Sequence, residues 1–179
     1  MQITDIARLE YYRDNIITTS SDLVDHIPKI ESLFRNSKLY KNYIYSIREG
    51  LQIKNCSYFI DQDFSEVDLE LHHIFHLADI VLLVGEKMLD DMDADGFLTD
   101  YDIVRGVIDF HLKDYPIIMM LSTTIHQLHH TGQYDLPKNS KQFHPGNYNN
   151  FIQEYIEYLD KDEMISMYGY FGIDVSTYW

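Results

Sequence analysis

Cysteine is almost missing from this chain. Cys56 stands alone among 179 residues, which excludes an internal disulfide and any zinc site built from cysteines only, and suits a reducing compartment. Long apolar runs are missing as well. The longest, Ile74 to Val84, is broken by His76 and Asp79, and a membrane span needs roughly 20 apolar residues, so no membrane contact is expected. No basic region followed by an apolar one opens the chain, so no signal peptide is expected either. Basic residues are scarce: 14 Lys and Arg stand against 29 Asp and Glu, a formal net charge of −15. Proteins that neutralise phosphates usually carry a basic patch. Here Lys and Arg gather only modestly, at Arg35, Lys38, Lys41 and Arg48 and again at Lys138 and Lys141. Gly-rich phosphate loops, Ser-His-Asp signatures and dinucleotide fingerprints are absent.

What is present reads as one compact domain with a real core. Hydrophobic residues make up 45% of the chain, charged residues 24%, and Tyr and Phe number 15 and 9. Residues 1–55 read as an N-terminal helical region. Ile3 to Thr18 has helical spacing. Ser21 or Asp22 is a plausible N-cap for a second helix to Asn36, with Pro28 as a kink or boundary. Leu39 to Glu49 forms a third, ended by Gly50. Cys56 to Ile60 reads as a short strand, followed by a turn at Asp61-Gln62-Asp63. Alternation of Val67, Leu69 and Leu71 with Glu66, Asp68 and Glu70 then gives a strand that ends at His72-His73. The two are read as a hairpin. Helices are expected at Leu77 to Leu89 and Tyr101 to Leu112, forming a helical insertion over 77–114. An apolar strand follows at Pro116 to Met120, then a helix capped by Thr123 or Thr124, running through His130 and stopped by Gly132. Gln133 to Tyr148 is a long polar loop, Phe151 to Leu159 a further helix, and 160–179 a short aromatic tail. The fold class is α+β, mostly helical.

Two histidine clusters stand out among nine histidines. One is the doublet His72-His73. The other is His126, His129 and His130. Histidines four apart on a helix share a face, so His126 and His130 can chelate one ion. A third ligand from a neighbouring strand would leave open positions for water or substrate, the pattern of catalytic sites. The spare histidine of the doublet can act as general base. Taken singly, each cluster is more often core or surface than ligand. In strand parity His73 follows Leu69 and Leu71, which would make it core.

In this order and spacing the residues resemble the ββα-metal, or HNH, endonucleases. Their helix pattern is Leu-Cys-x-x-Cys-His-x3-His. Leu121, Ser122, Ile125, His126 and His130 fit the spacing without the cysteines. The resemblance implies a divalent metal (magnesium, manganese, nickel or zinc) on His72, His126 and His130, with His73 as the catalytic base. It implies a hydrolase acting on DNA phosphodiester bonds, with Lys138 and Lys141 as phosphate contacts, in an HNH-like core over 56–159. The wider sequence, roughly residues 38 to 159, is similar to small phage-encoded proteins. That would put the protein in the cytoplasm of an infected bacterial host cell. Two departures stand against the nuclease pattern. Ile117 occupies the place of the family's base-orienting Asn, leaving a backbone carbonyl or Asn147 to serve. About 40 mostly helical residues also separate the two strands. The alternative is a non-catalytic acidic protein that mimics DNA or docks on a basic host protein.

A second ion site is suggested by Asp91 to Asp102. Asp91, Asp93 and Asp95 fill positions one, three and five of an EF-hand-like loop, Gly96 the sixth and Asp102 the twelfth, a pattern for calcium. The plainer reading is an acidic turn in which Thr99 is an N-cap, with Asp100 and Asp102 in the next helix's first turn.

Overall fold

The computed structural model describes residues 16–50, 55–59, 68–94, 96–136 and 143–179. It is α+β and mostly helical, with small antiparallel sheets. Chain contacts divide it into two compact units, one within Met1–Lys41 and His76–Leu112, the other within Asn42–Phe75 and Lys113–Trp179. The expected helix over Ile3 to Thr18 lies mostly outside the described residues, as do the turn at Asp61–Asp63 and Val67.

In the first unit, β1 (Ile16–Ile17) pairs antiparallel with β3 (Leu98–Thr99). Three helices pack together: α1 (Ser20–Asn36), α3 (Leu77–Asp90) and α4 (Asp100–Leu112). The start of α1 comes from a reciprocal capping box. The Thr19 hydroxyl accepts from the Asp22 N–H, while the Asp22 carboxylate accepts from the Thr19 N–H. The cap is therefore Thr19, one turn before Asp22. Pro28 lies inside α1 without ending it. Both Pro28 and Val24, whose carbonyl loses its partner there, are on the exposed face, where water can replace the missing N–H. Leu23, Ile30, Phe34, Ile80, Ile103 and Val107 form the core.

Helix α2 (Lys38–Gly50) carries the chain into the second unit. There β2 (Leu69–His73), β4 (Ile118–Ser122) and β5 (Phe143–His144) form a three-stranded antiparallel sheet in the order β2-β4-β5. The central strand β4 is buried throughout, as an uninterrupted apolar run requires. Helices α5 (Thr123–His130), α6 (Tyr148–Tyr155) and α7 (Lys161–Tyr170) complete the unit, with a 3-10 turn at Ser176–Tyr178. Aromatic rings fill its interior: Phe151 meets Tyr115, Tyr155 and Phe75, and Phe143 lies 4.8 Å from Phe171. Gly146 is required where it stands. Its φ is +66°, and a Cβ would sit 2.6 Å from the Tyr115 carbonyl oxygen.

Two expectations about this unit are corrected. The hairpin of Cys56–Ile60 with the His72-His73 strand does not form among the described residues. β2 pairs with β4 instead, His72 opposite Met119 and His73 opposite Ile118. Cys56 and Ser57 serve β4 from outside: the Ser57 N–H donates to the Met120 carbonyl, and the Cys56 sulfur accepts from the Ser122 N–H. The tail expected over 160–179 holds α7, whose N-cap Asp160 accepts from the Glu163 N–H.

Candidate metal centre

Strand β2 and helix α5 bring the two histidine clusters together. Period-two alternation divides β2 into a face with Leu69, Leu71 and His73 and a face with Glu70 and His72. β4 runs directly into α5, so the sheet register places the helix start. Ser122 caps α5 by accepting from the Ile125 N–H, and the Thr123 N–H donates to the Asp68 carbonyl at 3.1 Å. The first turn of α5 is thus tied to the first residues of β2. One helical turn later, His126, His129 and His130 meet His72, with ring centroids 5.1, 4.9 and 5.5 Å from its own.

One ring nitrogen from each of His72, His126 and His130 lies within 4.8 Å of the others. His72 is buried, His126 partly so and His130 exposed, so the cluster has a closed side and an open side. Nε2 of His126 is 3.0 Å from Nε2 of His130. Two nitrogens held at about 2.1 Å by one tetrahedral zinc lie about 3.4 Å apart, so a small opening of this pair gives the spacing one ion requires. The Nδ1 of His126 faces a Glu70 carboxylate oxygen at 2.5 Å. His129 donates from Nδ1 to the Tyr134 carbonyl at 2.9 Å, a contact that leaves the lone pair on Nε2. The His126–Glu70 contact is of the outer-shell kind that metal-binding imidazoles make. The donor set therefore suits a divalent transition metal with three nitrogen ligands and room for a fourth.

The other expected site residues are dispersed or otherwise engaged. His73 is buried on the apolar face of β2, away from its neighbour's side, so the doublet does not present ligand and base together. Asp91 pairs with Lys87 at 2.7 Å. The Asp102 carboxylate accepts from the Thr99 hydroxyl and N–H at 2.6 and 2.9 Å, which is the helix-cap reading of that segment. Among the described residues, the group of three or more side chains gathered closely enough for an ion is the histidine cluster, not the Asp91–Asp102 segment. Asp95, Lys138 and Lys141 lie outside the described residues. Ile117 is core, 2% exposed, and Asn147 precedes α6 with its N–H bonded to the Asp114 carbonyl. The residue that sequence reasoning missed is Glu70. Its alternation with Leu69 and Leu71 marked it only as a polar-face residue.

Comparison with known proteins revises the function. The family model described as "Bacteriophage G278-like virion protein" matches residues 1–168. No HNH nuclease family is found, and no curated protein or solved structure matches the chain. The assignment to the ββα-metal endonucleases is therefore overturned, and with it hydrolysis of DNA; contact with DNA has no support. The acidic decoy for a host protein has no support either. Histidine spacing alone misled, because the same donor set serves unrelated proteins. With nearly its whole length covered, the chain belongs to the bacteriophage G278-like virion protein family.

Proposed function

We propose that this protein is a component of a bacteriophage particle, present in the host cytoplasm only during assembly, and that His72, His126 and His130 hold one divalent transition-metal ion as a structural clasp. The family match supports the particle context. The single observation that carries the clasp is the convergence of three imidazole nitrogens from β2 and α5 within 4.8 Å of one another.

A bound ion would join a strand to a helix more than 50 positions further along the chain. Ions that bind the native state and not the unfolded chain raise stability by mass action. Three imidazoles suit zinc, nickel or cobalt, and they suit the oxygen-seeking magnesium and manganese poorly. Neutral imidazole is the binding form, so affinity falls as pH drops.

Two measurements test the reading. Mass spectrometry of density-gradient-purified particles of the encoding phage is expected to detect the chain, and its absence from intact particles would refute the particle role. Elemental analysis of the purified protein is expected to find about one equivalent of zinc, nickel or cobalt, lost in the His126→Ala, His130→Ala double variant. Wild-type protein that takes up none of these ions at neutral pH would end the clasp.

A further inference from the structure

An imidazole that binds a metal uses one nitrogen for the ion and the other for the protein, and the group on the second nitrogen selects the tautomer. At His126 that group is Glu70. A carboxylate accepts and does not donate, so the 2.5 Å contact from Nδ1 to Oε2 puts the proton on Nδ1. The lone pair is then on Nε2, the nitrogen that stands 3.0 Å from Nε2 of His130.

Glu70 is itself held. Its other oxygen, Oε1, accepts from the Thr123 hydroxyl at 3.2 Å. Thr123 is the first residue of α5, and its N–H is bonded to the Asp68 carbonyl. The strand that carries His72 thus also carries the carboxylate that orients His126, while the helix that carries His126 and His130 supplies the hydroxyl that steadies that carboxylate. Glu70 and His72 share a face of β2 by alternation. A half-exposed pair of this kind contributes little to folding; its side chains are 18% and 46% exposed. Orientation of the ligand is the work the geometry leaves it.

Resting on the metal reading above, we propose that Glu70 is the positioning residue of the three-histidine site, holding His126 as the Nδ1–H tautomer with Nε2 aimed at the ion. It does so without binding the ion itself, and its negative charge offsets part of the dication's charge. Thr123 is the support of that carboxylate.

Zinc and cobalt titrations of the full chain by calorimetry, with visible spectra of the cobalt form and melting curves of the metal-free form, test this. Glu70→Ala is expected to weaken zinc binding about 10- to 100-fold and to change the cobalt spectrum, while shifting the metal-free melting temperature by no more than a few degrees. Glu70→Gln keeps an acceptor oxygen and is expected to restore part of the affinity. Zinc binding in Glu70→Ala equal to wild type, with binding abolished in His126→Ala, would overturn the role of Glu70 and leave the metal site standing. A lowered metal-free melting temperature with unchanged affinity would make Glu70 merely structural. Wild-type protein that binds neither ion would instead refute the clasp beneath this inference.

Discussion

The two units hold the same pair of groups in different settings. In the first, Nδ1 of His26 meets the Asp100 carboxylate at 2.5 Å; in the second, Nδ1 of His126 meets the Glu70 carboxylate at 2.5 Å. Asp100 is almost fully buried and is also held by Lys29 at 2.5 Å, whereas the Glu70 side chain is 46% exposed. A buried carboxylate needs its partners because its desolvation must be offset. A half-exposed one has water as an alternative. The neighbours differ too. His26 shares its carboxylate with Lys29, while His126 lies against the rings of His72 and His130. Identical local chemistry therefore stabilises helix packing in one place and orients a donor in the other.

The largest expected effect comes from breaking the buried pair. Asp100→Ala is expected to cost up to about 3 kcal/mol, because it removes a buried acceptor and leaves the part-buried His26 without it, while the half-exposed Lys29 turns to water. Glu70→Ala is expected to cost less than about 1 kcal/mol. Denaturant melts of both metal-free variants check this, and equal losses would erase the distinction. Next comes the ion. Zinc at about a hundred times its dissociation constant is expected to add about 2.7 kcal/mol. Amide exchange should slow in β2 and α5 and stay unchanged in α1 and α4. Protection of the first unit to the same degree would break the comparison.

A third histidine sharpens it. His111 is buried among Phe34, Tyr40 and Phe110, with Nδ1 donating to the Val107 carbonyl. Burial lowers its pKa to about 4, opposed by that hydrogen bond. The folded form keeps the ring neutral, while the unfolded chain takes up a proton near its ordinary value of 6.5. The unfolded state therefore binds more protons between these values, and stability falls as pH drops through them. The loss is expected to reach about 2 kcal/mol between pH 7 and pH 5. His111→Phe should flatten that slope, and an unchanged slope would assign it to other groups. The smallest effect concerns Tyr168, whose buried hydroxyl has no hydrogen-bond partner among the described residues. Tyr168→Phe is expected to be neutral or stabilising by up to about 1 kcal/mol. A clear loss in thermal melting would show that the hydroxyl is satisfied after all.

The helices were legible where their periodicity and punctuation agreed. α3, α4 and α5 start and end within a residue or two of the expected positions, and Gly132, with φ +71°, follows α5. Thr99 and Asp102 cap α4 as their spacing suggested. α7 was missed because its apolar residues lack a clear stripe, although Asp160 followed by Glu163 is itself a helix-start signal.

The chain alone determined which residues could be ligands. Four-residue spacing puts His126 and His130 on one helical face, and alternation puts His73 with Leu69 and Leu71. Both follow from local backbone geometry, which any short segment carries. The tertiary structure decided what these residues meet. Pairing of β2 with β4 brought His72 and Glu70 to α5, and local alternation cannot name a strand's partner. Glu70 acquired its place because folding set an imidazole 2.5 Å away. Until then, a carboxylate on the polar face of a strand is indistinguishable from one that only faces water.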